Sequence, residues 1–203
     1  MPRERAQALL IDLDGVLRRW DPAPMIAVEI EYGLKPAALP ETAMAWDIYR
    51  PAISGELTDA EWMRLVASRL PIPEDKATEA VARWQEYRGE PDPDVLAFVR
   101  EVRAGGRKVG LATNATDRLR SDLDELGLTA EVDVVISSWE LKVHKPAPEF
   151  FARACELVGV KPNQVLFVDD DDRVIRGARA AGLSAYRWSG SQHVHLLKKA
   201  LDL

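Results

Sequence analysis

Four short apolar runs separated by amphipathic helical patterns constrain the fold of this chain more than any other feature. The runs cover residues 8–13, 108–113, 132–136 and 165–168, with a weaker fifth at 184–187. Each run is too short for a helix and is followed by polar or turn residues, as is typical of a buried strand. The helical patterns between them cover residues 93–104, 117–126, 148–158 and 173–181. This alternation predicts an α/β fold, with a Rossmann-like parallel sheet covered by helices on both faces.

Residues 19–89 interrupt the alternation, because they contain helical patterns and no strand pattern. The helical patterns lie around residues 25–32, 41–53, 59–70 and 75–88. Thr58 and Glu61 have the spacing of a capping box, and Pro71 ends the third pattern. Helices placed between the first two strands predict an inserted helical cap. We therefore expect a core of residues 1–18 and 90–203 and a cap of residues 19–89.

Composition and charge narrow the class of protein. The net charge of −6 argues against a nucleic-acid partner, which would need a basic face. The single cysteine, Cys155, excludes an internal disulfide and predicts a packed thiol in a reducing compartment. The apolar run near the N-terminus is cut short by Asp12, so we expect no export signal. No stretch has the length and apolarity of a membrane span, and we expect a cytoplasmic protein with no membrane partner.

Polar side chains occur where the predicted strands end. Asp12 and Asp14 follow the first strand, and Lys145 lies just before a predicted helix. Two further strands end in polar pairs, namely Thr113 with Asn114 and Asp169 with Asp170. Because the carboxyl ends of parallel strands meet at one edge of a sheet, we expect these groups to converge there.

Clustered carboxylates raise one another's pKa unless a cation lies between them. Oxygen ligands without nearby His or Cys favour a hard divalent ion, and Mg²⁺ is the usual ion where a phosphate completes the coordination. Thr113 and Lys145 would offer a phosphoryl group a hydroxyl donor and a positive charge. The pattern therefore indicates phosphoryl transfer.

Four stretches resemble the ordered motifs of the haloacid dehalogenase superfamily. They are DLDGVL at residues 12–17, LATNAT around Thr113, HKPAPEFF around Lys145 and FVDDDD at residues 167–172. The helical insert resembles the C1 cap of that superfamily. Within it, ISGELTDAEW at residues 53–62 is similar to a cap stretch of sugar-phosphatase-like members and of the N-terminal domains of soluble epoxide hydrolases.

The resemblance implies a role for each motif residue. Asp12 would be the nucleophile that forms an aspartyl-phosphate, and Asp14 would be the general acid and then the general base. Thr113, Asn114 and Lys145 would bind the phosphoryl group, with Lys145 also steadying the nucleophile.

The same resemblance implies a Mg²⁺ cofactor. Its ligands would be the Asp12 carboxylate, the Asp14 main-chain carbonyl, Asp170 and Asp169. For Asp172 we expect the structural role of a helix N-cap.

The expected activity is hydrolysis of a small phosphorylated metabolite, for example a sugar phosphate. The resemblance suggests that dehalogenating members lack an acid at the place of Asp14, since a carbon–halogen bond needs no protonated leaving oxygen. A phosphomutase, a 2-haloacid dehalogenase and a non-catalytic binding module remain alternatives, and the sequence leaves the oligomeric state open. Candidate specificity residues are Trp20, Trp46, Tyr49 and Arg50. We expect surface or packing roles for His144, His193 and His195.

Overall fold

The computed structural model describes residues 6–203. The first five residues of the chain, which begin the predicted core, lie outside the described part. The strands are β1 (Ala8–Ile11), β2 (Arg18–Arg19), β3 (Glu90–Pro91), β4 (Lys108–Thr113), β5 (Val134–Ser137), β6 (Val165–Asp169) and β7 (Ser184–Arg187). The α-helices are α1 (Pro22–Glu31), α2 (Ala38–Ala43), α3 (Trp46–Ile53), α4 (Asp59–Arg69), α5 (Glu74–Trp84), α6 (Pro93–Ala104), α7 (Leu119–Glu125), α8 (Ser138–Leu141), α9 (Pro148–Val158), α10 (Asp172–Ala180) and α11 (Val194–Leu201).

Five strands form one parallel sheet in the order β5-β4-β1-β6-β7. This topology confirms the predicted α/β, Rossmann-like fold. Strand β1 lies at the centre, between β4 and β6, and all four of its residues are buried. The carboxyl ends of β4, β1 and β6 are therefore neighbours, and the chain segments that follow them share one edge of the sheet.

Alternate residues of β1 pack into two different apolar clusters. Leu9 and Ile11 pack with side chains of α6, α7 and α11 on one face of the sheet. Ala8 and Leu10 pack with side chains of α9 and α10 on the other face, among them the fully buried Phe151. Because neighbouring side chains of a strand point to opposite faces, one apolar strand supplies both halves of the core.

A smaller prediction about the core is also confirmed, and the last helix of the chain packs on the core as well. Cys155 is buried in the cluster on the α9 face, and burial raises the pKa of its thiol to about 11, as expected for a packed cysteine. The pattern of Val194, Leu197 and Leu201 forms α11, and the last two side chains are buried against the core.

Within residues 6–203, the structure has no helix long and apolar enough to span a bilayer.

Helices α1 to α5 lie between β2 and β3 and share an apolar cluster of their own. The expected capping box is present, because Thr58 accepts from the Glu61 N–H and Glu61 accepts from the Thr58 N–H. This helical insert also contacts the core: the Trp139 indole donates to the Leu57 carbonyl over 2.9 Å, and the Thr116 hydroxyl donates to Asp59 over 3.0 Å. The boundaries of a separate cap at residues 19 and 89 stay a prediction.

The structure corrects two local expectations. The helix expected over residues 41–53 is two helices, because the backbone is extended at Ala45 and the Ala43 carbonyl accepts from the Trp62 indole. The N-cap of α10 is Asp171, whose carboxylate accepts from the Arg173 N–H over 2.7 Å, and not Asp172, which is the first helical residue. The second error concerns the choice between two adjacent aspartates, where a sequence pattern has little resolving power.

A buried carboxylate joins the two segments that lead into and out of the insert. Asp122 on α7 accepts from Arg18 of β2 over 3.1 Å, from Arg88 just before β3 over 2.6 Å, and from Arg118 over 3.2 Å. Burial alone would raise the pKa of Asp122, but Arg88 and Arg18 outweigh it and hold this pKa below its usual value. Ionised Asp122 therefore stabilises the folded chain.

We expect Asp122→Asn to lower the free energy of unfolding at pH 7 by about 3 kcal/mol, since it leaves buried arginine charge uncompensated. The pKa of Asp122 is lower in the folded than in the unfolded chain. Its contribution is thus complete above about pH 4 and is lost as the pH falls through the folded pKa. Urea unfolding at pH 7, 5 and 3 should show the difference from the wild type shrinking in acid.

The exposed Asp124 on the same helix provides the control, because Asp124→Asn should change stability little at any of these pH values. A constant difference between wild type and Asp122→Asn from pH 7 to pH 3 would contradict the assignment.

Candidate active site

A buried ammonium group joins the ends of two neighbouring strands. Asp12 directly follows β1, where its N–H donates to the Val168 carbonyl of β6 over 2.9 Å. Asp169 is the last residue of β6 and is fully buried. The Lys145 Nζ lies 2.9 Å from Asp12 Oδ1 and 2.6 Å from Asp169 Oδ2. The ion pairs therefore hold both carboxylates at the same point of the sheet edge.

The main chain of Lys145 is held by the side chain of Asn114. Asn114 Oδ1 accepts the Lys145 N–H over 2.8 Å, and Asn114 Nδ2 donates to the Lys145 carbonyl over 3.1 Å. Both polar atoms of the amide are thus engaged with the lysine backbone. Asn114 therefore positions Lys145, and its contact with a phosphate stays a prediction.

The charge state of this group follows from its surroundings. Burial acts to lower the pKa of Lys145, but attraction by Asp12 and Asp169 is stronger and raises it, so the ammonium stays charged. Burial raises the pKa of the Asp12 carboxyl to about 7, although Lys145 acts in the opposite direction. A further cation beside Asp12 would favour its ionised form.

A third carboxylate completes an acidic cluster. Oxygen atoms of Asp12, Asp169 and Asp170 all lie within 4.8 Å of one another. The carboxylate of Asp170 occupies the space above Gly15, where a Cβ would lie 2.2 Å from its Oδ2. When all three carboxylates are ionised, they outnumber the one ammonium by two negative charges, and burial raises the pKa of Asp12 and of Asp170 in the absence of a further cation. An oxygen donor set of this charge fits a hard divalent ion such as Mg²⁺.

The carboxylate of Asp14 lies outside this cluster and contacts the segment that follows it. Asp14 Oδ1 accepts from Arg18 Nε over 2.7 Å and from the Trp20 indole over 2.6 Å, and Asp14 Oδ2 accepts from Arg18 Nη2 over 2.9 Å. Trp20, a candidate specificity residue, thus contacts Asp14, and its ring also lies against Tyr87. Although Asp14 is two residues from Asp12 in the chain, its side chain is held by other partners than the acidic cluster.

Thr113 ends β4 beside the cluster and is 1% exposed. It lies opposite Ser137 of β5 in the sheet register. Its position at the end of β4 places it beside the acidic cluster, and phosphoryl binding by its hydroxyl stays a prediction.

Aromatic side chains of the insert face the site. Burial raises the pKa of the Tyr49 phenol to about 12. The negative charges of Asp14 and Asp12 also raise this pKa, so the phenol lies close enough to both carboxylates to interact with them. Trp46 is 56% exposed and packs edge-on against His144 at 5.6 Å between ring centroids. His144 precedes Lys145 in the chain, so Trp46 contacts the segment that carries the buried ammonium.

Arg50 pairs with an acidic residue of its own segment, and its role as a specificity residue stays a prediction. Its guanidinium is paired with Glu56, and it has no other hydrogen-bond partner within the described part of the chain. His193 and His195 are partly buried and exposed side chains with local partners, in agreement with the surface or packing role expected of them.

Comparison with known proteins establishes the family. A sequence model of the haloacid dehalogenase-like hydrolases matches residues 6–182, and the chain belongs to this family. Among the relatives of the chain, fructose-1-phosphate phosphatase YqaB of Escherichia coli K12 is 27% identical over 190 residues, which are 90% of this chain and 96% of that protein.

Solved structures share the fold. HAD family enzyme bt-2542 of Bacteroides thetaiotaomicron, solved in complex with magnesium and inorganic phosphate, superposes with a TM-score of 0.71 at 22% identity, covering 91% of this chain and 94% of that one. L-2-haloacid dehalogenase of Xanthobacter autotrophicus superposes with a TM-score of 0.68 at 24% identity, covering 97% of this chain and 83% of that one.

His144 packs against Trp46, in agreement with the packing role expected of it. One residue beside the site has no counterpart among the sequence-based expectations. Arg18 was not singled out, yet it is 5% exposed and contacts Asp14. The pattern offered one signal for Arg18, namely a charged residue directly after the apolar pair Val16 and Leu17.

We expect Gly15→Ala to weaken divalent-ion binding without unfolding the protein, because the new Cβ would displace the Asp170 carboxylate. Gly33→Ala is a matched control: Gly33 also has a positive φ, of 65° against 76° at Gly15, but a Cβ there meets nothing within 4 Å. Both variants should lose roughly 1 kcal/mol of stability from backbone strain. Titration calorimetry with Mg²⁺ should show at least about a tenfold weaker affinity for Gly15→Ala, about 1.4 kcal/mol. Equal affinities in the two variants would exclude Asp170 as a ligand.

Proposed function

We propose that this protein is a Mg²⁺-dependent phosphomonoester hydrolase that acts on a small phosphorylated metabolite through an aspartyl-phosphate. The observation that carries the proposal is the buried Lys145 ammonium between Asp12 and Asp169, beside a third carboxylate. It gives one carboxylate, Asp12, a fixed position next to a positive charge that can also contact a phosphate. Membership of a hydrolase family and its phosphatase relatives support the reaction class.

The first half of the reaction transfers the phosphoryl group to Asp12. A carboxylate oxygen of Asp12 forms a bond to phosphorus, and the bond between phosphorus and the ester oxygen breaks. Asp14 gives a proton to that leaving oxygen, so the alcohol departs neutral. In the second half, Asp14 takes a proton from the water that attacks phosphorus. Inorganic phosphate leaves, and the Asp12 carboxylate is restored.

The remaining groups bind and orient the phosphoryl group. Lys145 would neutralise part of its charge, and the Thr113 hydroxyl would donate to one of its oxygens. Bound Mg²⁺, held by Asp12, Asp170, the Asp14 carbonyl and Asp169, would shield the anionic nucleophile from the anionic substrate. Since Asp169 already accepts from Lys145 and from the Asp171 N–H, Asp170 is the better candidate for direct ligation.

The helical insert would act as a cap that selects the leaving group. Its Trp46 and Tyr49 offer ring faces and a phenol hydroxyl near the carboxylates, a combination that suits a polyhydroxylated carbon skeleton. A sugar phosphate is therefore the substrate class that we favour, and the fructose-1-phosphate phosphatase among the relatives is consistent with it.

The experiment that tests the proposal measures phosphate release from a panel of sugar phosphates and other phosphomonoesters, with Mg²⁺ and with EDTA. Steady release that needs Mg²⁺ and falls by at least about a thousandfold in Asp12→Asn is expected, since the variant lacks the nucleophile. Circular dichroism of the variant provides the control for folding.

A folded, metal-binding protein that releases phosphate from no ester would overturn the hydrolase proposal in favour of a mutase or a binding role. Full activity of Asp12→Asn would exclude the covalent mechanism. Halide release from 2-haloacids under the same conditions would favour the dehalogenase alternative.

A further inference from the structure

We propose that Arg18 is the residue that positions Asp14 for proton transfer and links it to the segments joining the helical insert to the core. The proposal rests on the proposed function, because it takes Asp14 as the proton donor and acceptor. It adds a residue outside the four sequence motifs and identifies the carboxylate oxygen that exchanges the proton.

Arg18 forms a bidentate ion pair with Asp14. Nε donates to Asp14 Oδ1 over 2.7 Å and Nη2 donates to Asp14 Oδ2 over 2.9 Å, the parallel geometry that fixes the plane of a carboxylate. The Arg18 guanidinium also lies 4.6 Å from the centroid of the Trp20 ring, whose indole N–H donates to the same Oδ1. The orientation of Asp14 is thus set by three donors.

The three donors leave the two oxygens of Asp14 in different states. A carboxylate oxygen accepts about two hydrogen bonds. Oδ1 has two donors, Arg18 and Trp20, whereas Oδ2 has one donor among the described residues. The side chain of Asp14 is 44% exposed, so the open position on Oδ2 is accessible from outside. Oδ2 is therefore the atom that exchanges a proton with the leaving oxygen and with water.

The other end of Arg18 is fixed in the core. Its Nη1 donates to Asp122 over 3.1 Å and lies 3.5 Å from the Arg88 carbonyl. Arg18 belongs to β2 and Arg88 precedes β3, and these two strands pair with each other. One planar guanidinium therefore contacts Asp14, Asp122 and the main chain beside β3 together, so a displacement of either segment would be transmitted to Asp14.

A purely structural role does not require this arrangement. Asp122 already has Arg88 and Arg118 as partners, so its charge would stay compensated without Arg18. Burying a third guanidinium carries a desolvation cost, which the ion pair with Asp14 offsets. Among the residues that the structure describes, Asp14 is the carboxylate for which Arg18 supplies two of three donors.

The test uses two esters that differ in their need for a proton donor. An alkoxide leaving group needs protonation, whereas p-nitrophenolate leaves without it. We expect Arg18→Met to lower kcat/KM for an alkyl phosphate, the best sugar phosphate of the panel, by at least about tenfold, and for p-nitrophenyl phosphate by less than about threefold. For the alkyl ester the loss should fall on kcat and not on KM, because phosphate binding does not involve Arg18.

Two further variants make the result specific. Arg19→Met is the matched control, because Arg19 is the next residue of β2 and is 57% exposed, with a partner 3.5 Å away. It should leave both esters unaffected. Arg18→Lys keeps the charge but offers a single nitrogen in place of the fork, and it should show the same selectivity for the alkyl ester as Arg18→Met. It also remains informative if Arg18→Met does not fold.

The outcomes separate this inference from the proposed function. A wild-type protein that hydrolyses neither ester overturns both. An active wild type whose folded Arg18 variants lose the two esters equally, or lose neither, overturns the role of Arg18 alone. Recovery of full alkyl phosphate turnover in Arg18→Lys would also overturn it, because a charge without the fork would then suffice.

Discussion

The ion pairs of one buried lysine organise this structure. Lys145, at 4% exposure, lies between Asp12 and Asp169, which end two adjacent strands. Each of these groups alone would be costly to bury, and together they compensate one another. The excess of carboxylate over ammonium that remains is what makes the site suited to a divalent ion and to phosphate chemistry. The geometry of the central strands and the chemistry of the site are thus fixed by the same contacts.

Much of the fold was predictable because it follows from apolar periodicity. The strand over residues 108–113 and the helices over 93–104 and 148–158 have the expected bounds, since each has a strong pattern and clear polar or proline boundaries. The short pairing of β2 with β3 was missed, because two-residue strands have no periodicity to detect. The break between α2 and α3 was missed for another reason: it depends on a contact with Trp62, which is distant in the sequence.

The sequence likewise predicts some features of the candidate site and not others. Residues that end strands, such as Asp12 and Asp169, were identifiable because parallel strands bring their carboxyl ends together. The partners of individual side chains were not, because they depend on the path of the connecting segments. Asn114 faces the Lys145 backbone, Arg50 pairs with Glu56, and Arg18 lies between two acids that are 108 positions apart in the sequence.

The hold of Asn114 on residue 145 has a consequence for how this site can change. The amide contacts the N–H and the carbonyl of that residue, which every amino acid except proline provides. The loop is therefore anchored without regard to the side chain that it carries. A different side chain at position 145 would begin from the same backbone position and extend between the same two carboxylates. The scaffold and the reactive group are independent parts here, so new chemistry could be introduced at this position while the surrounding backbone keeps its course.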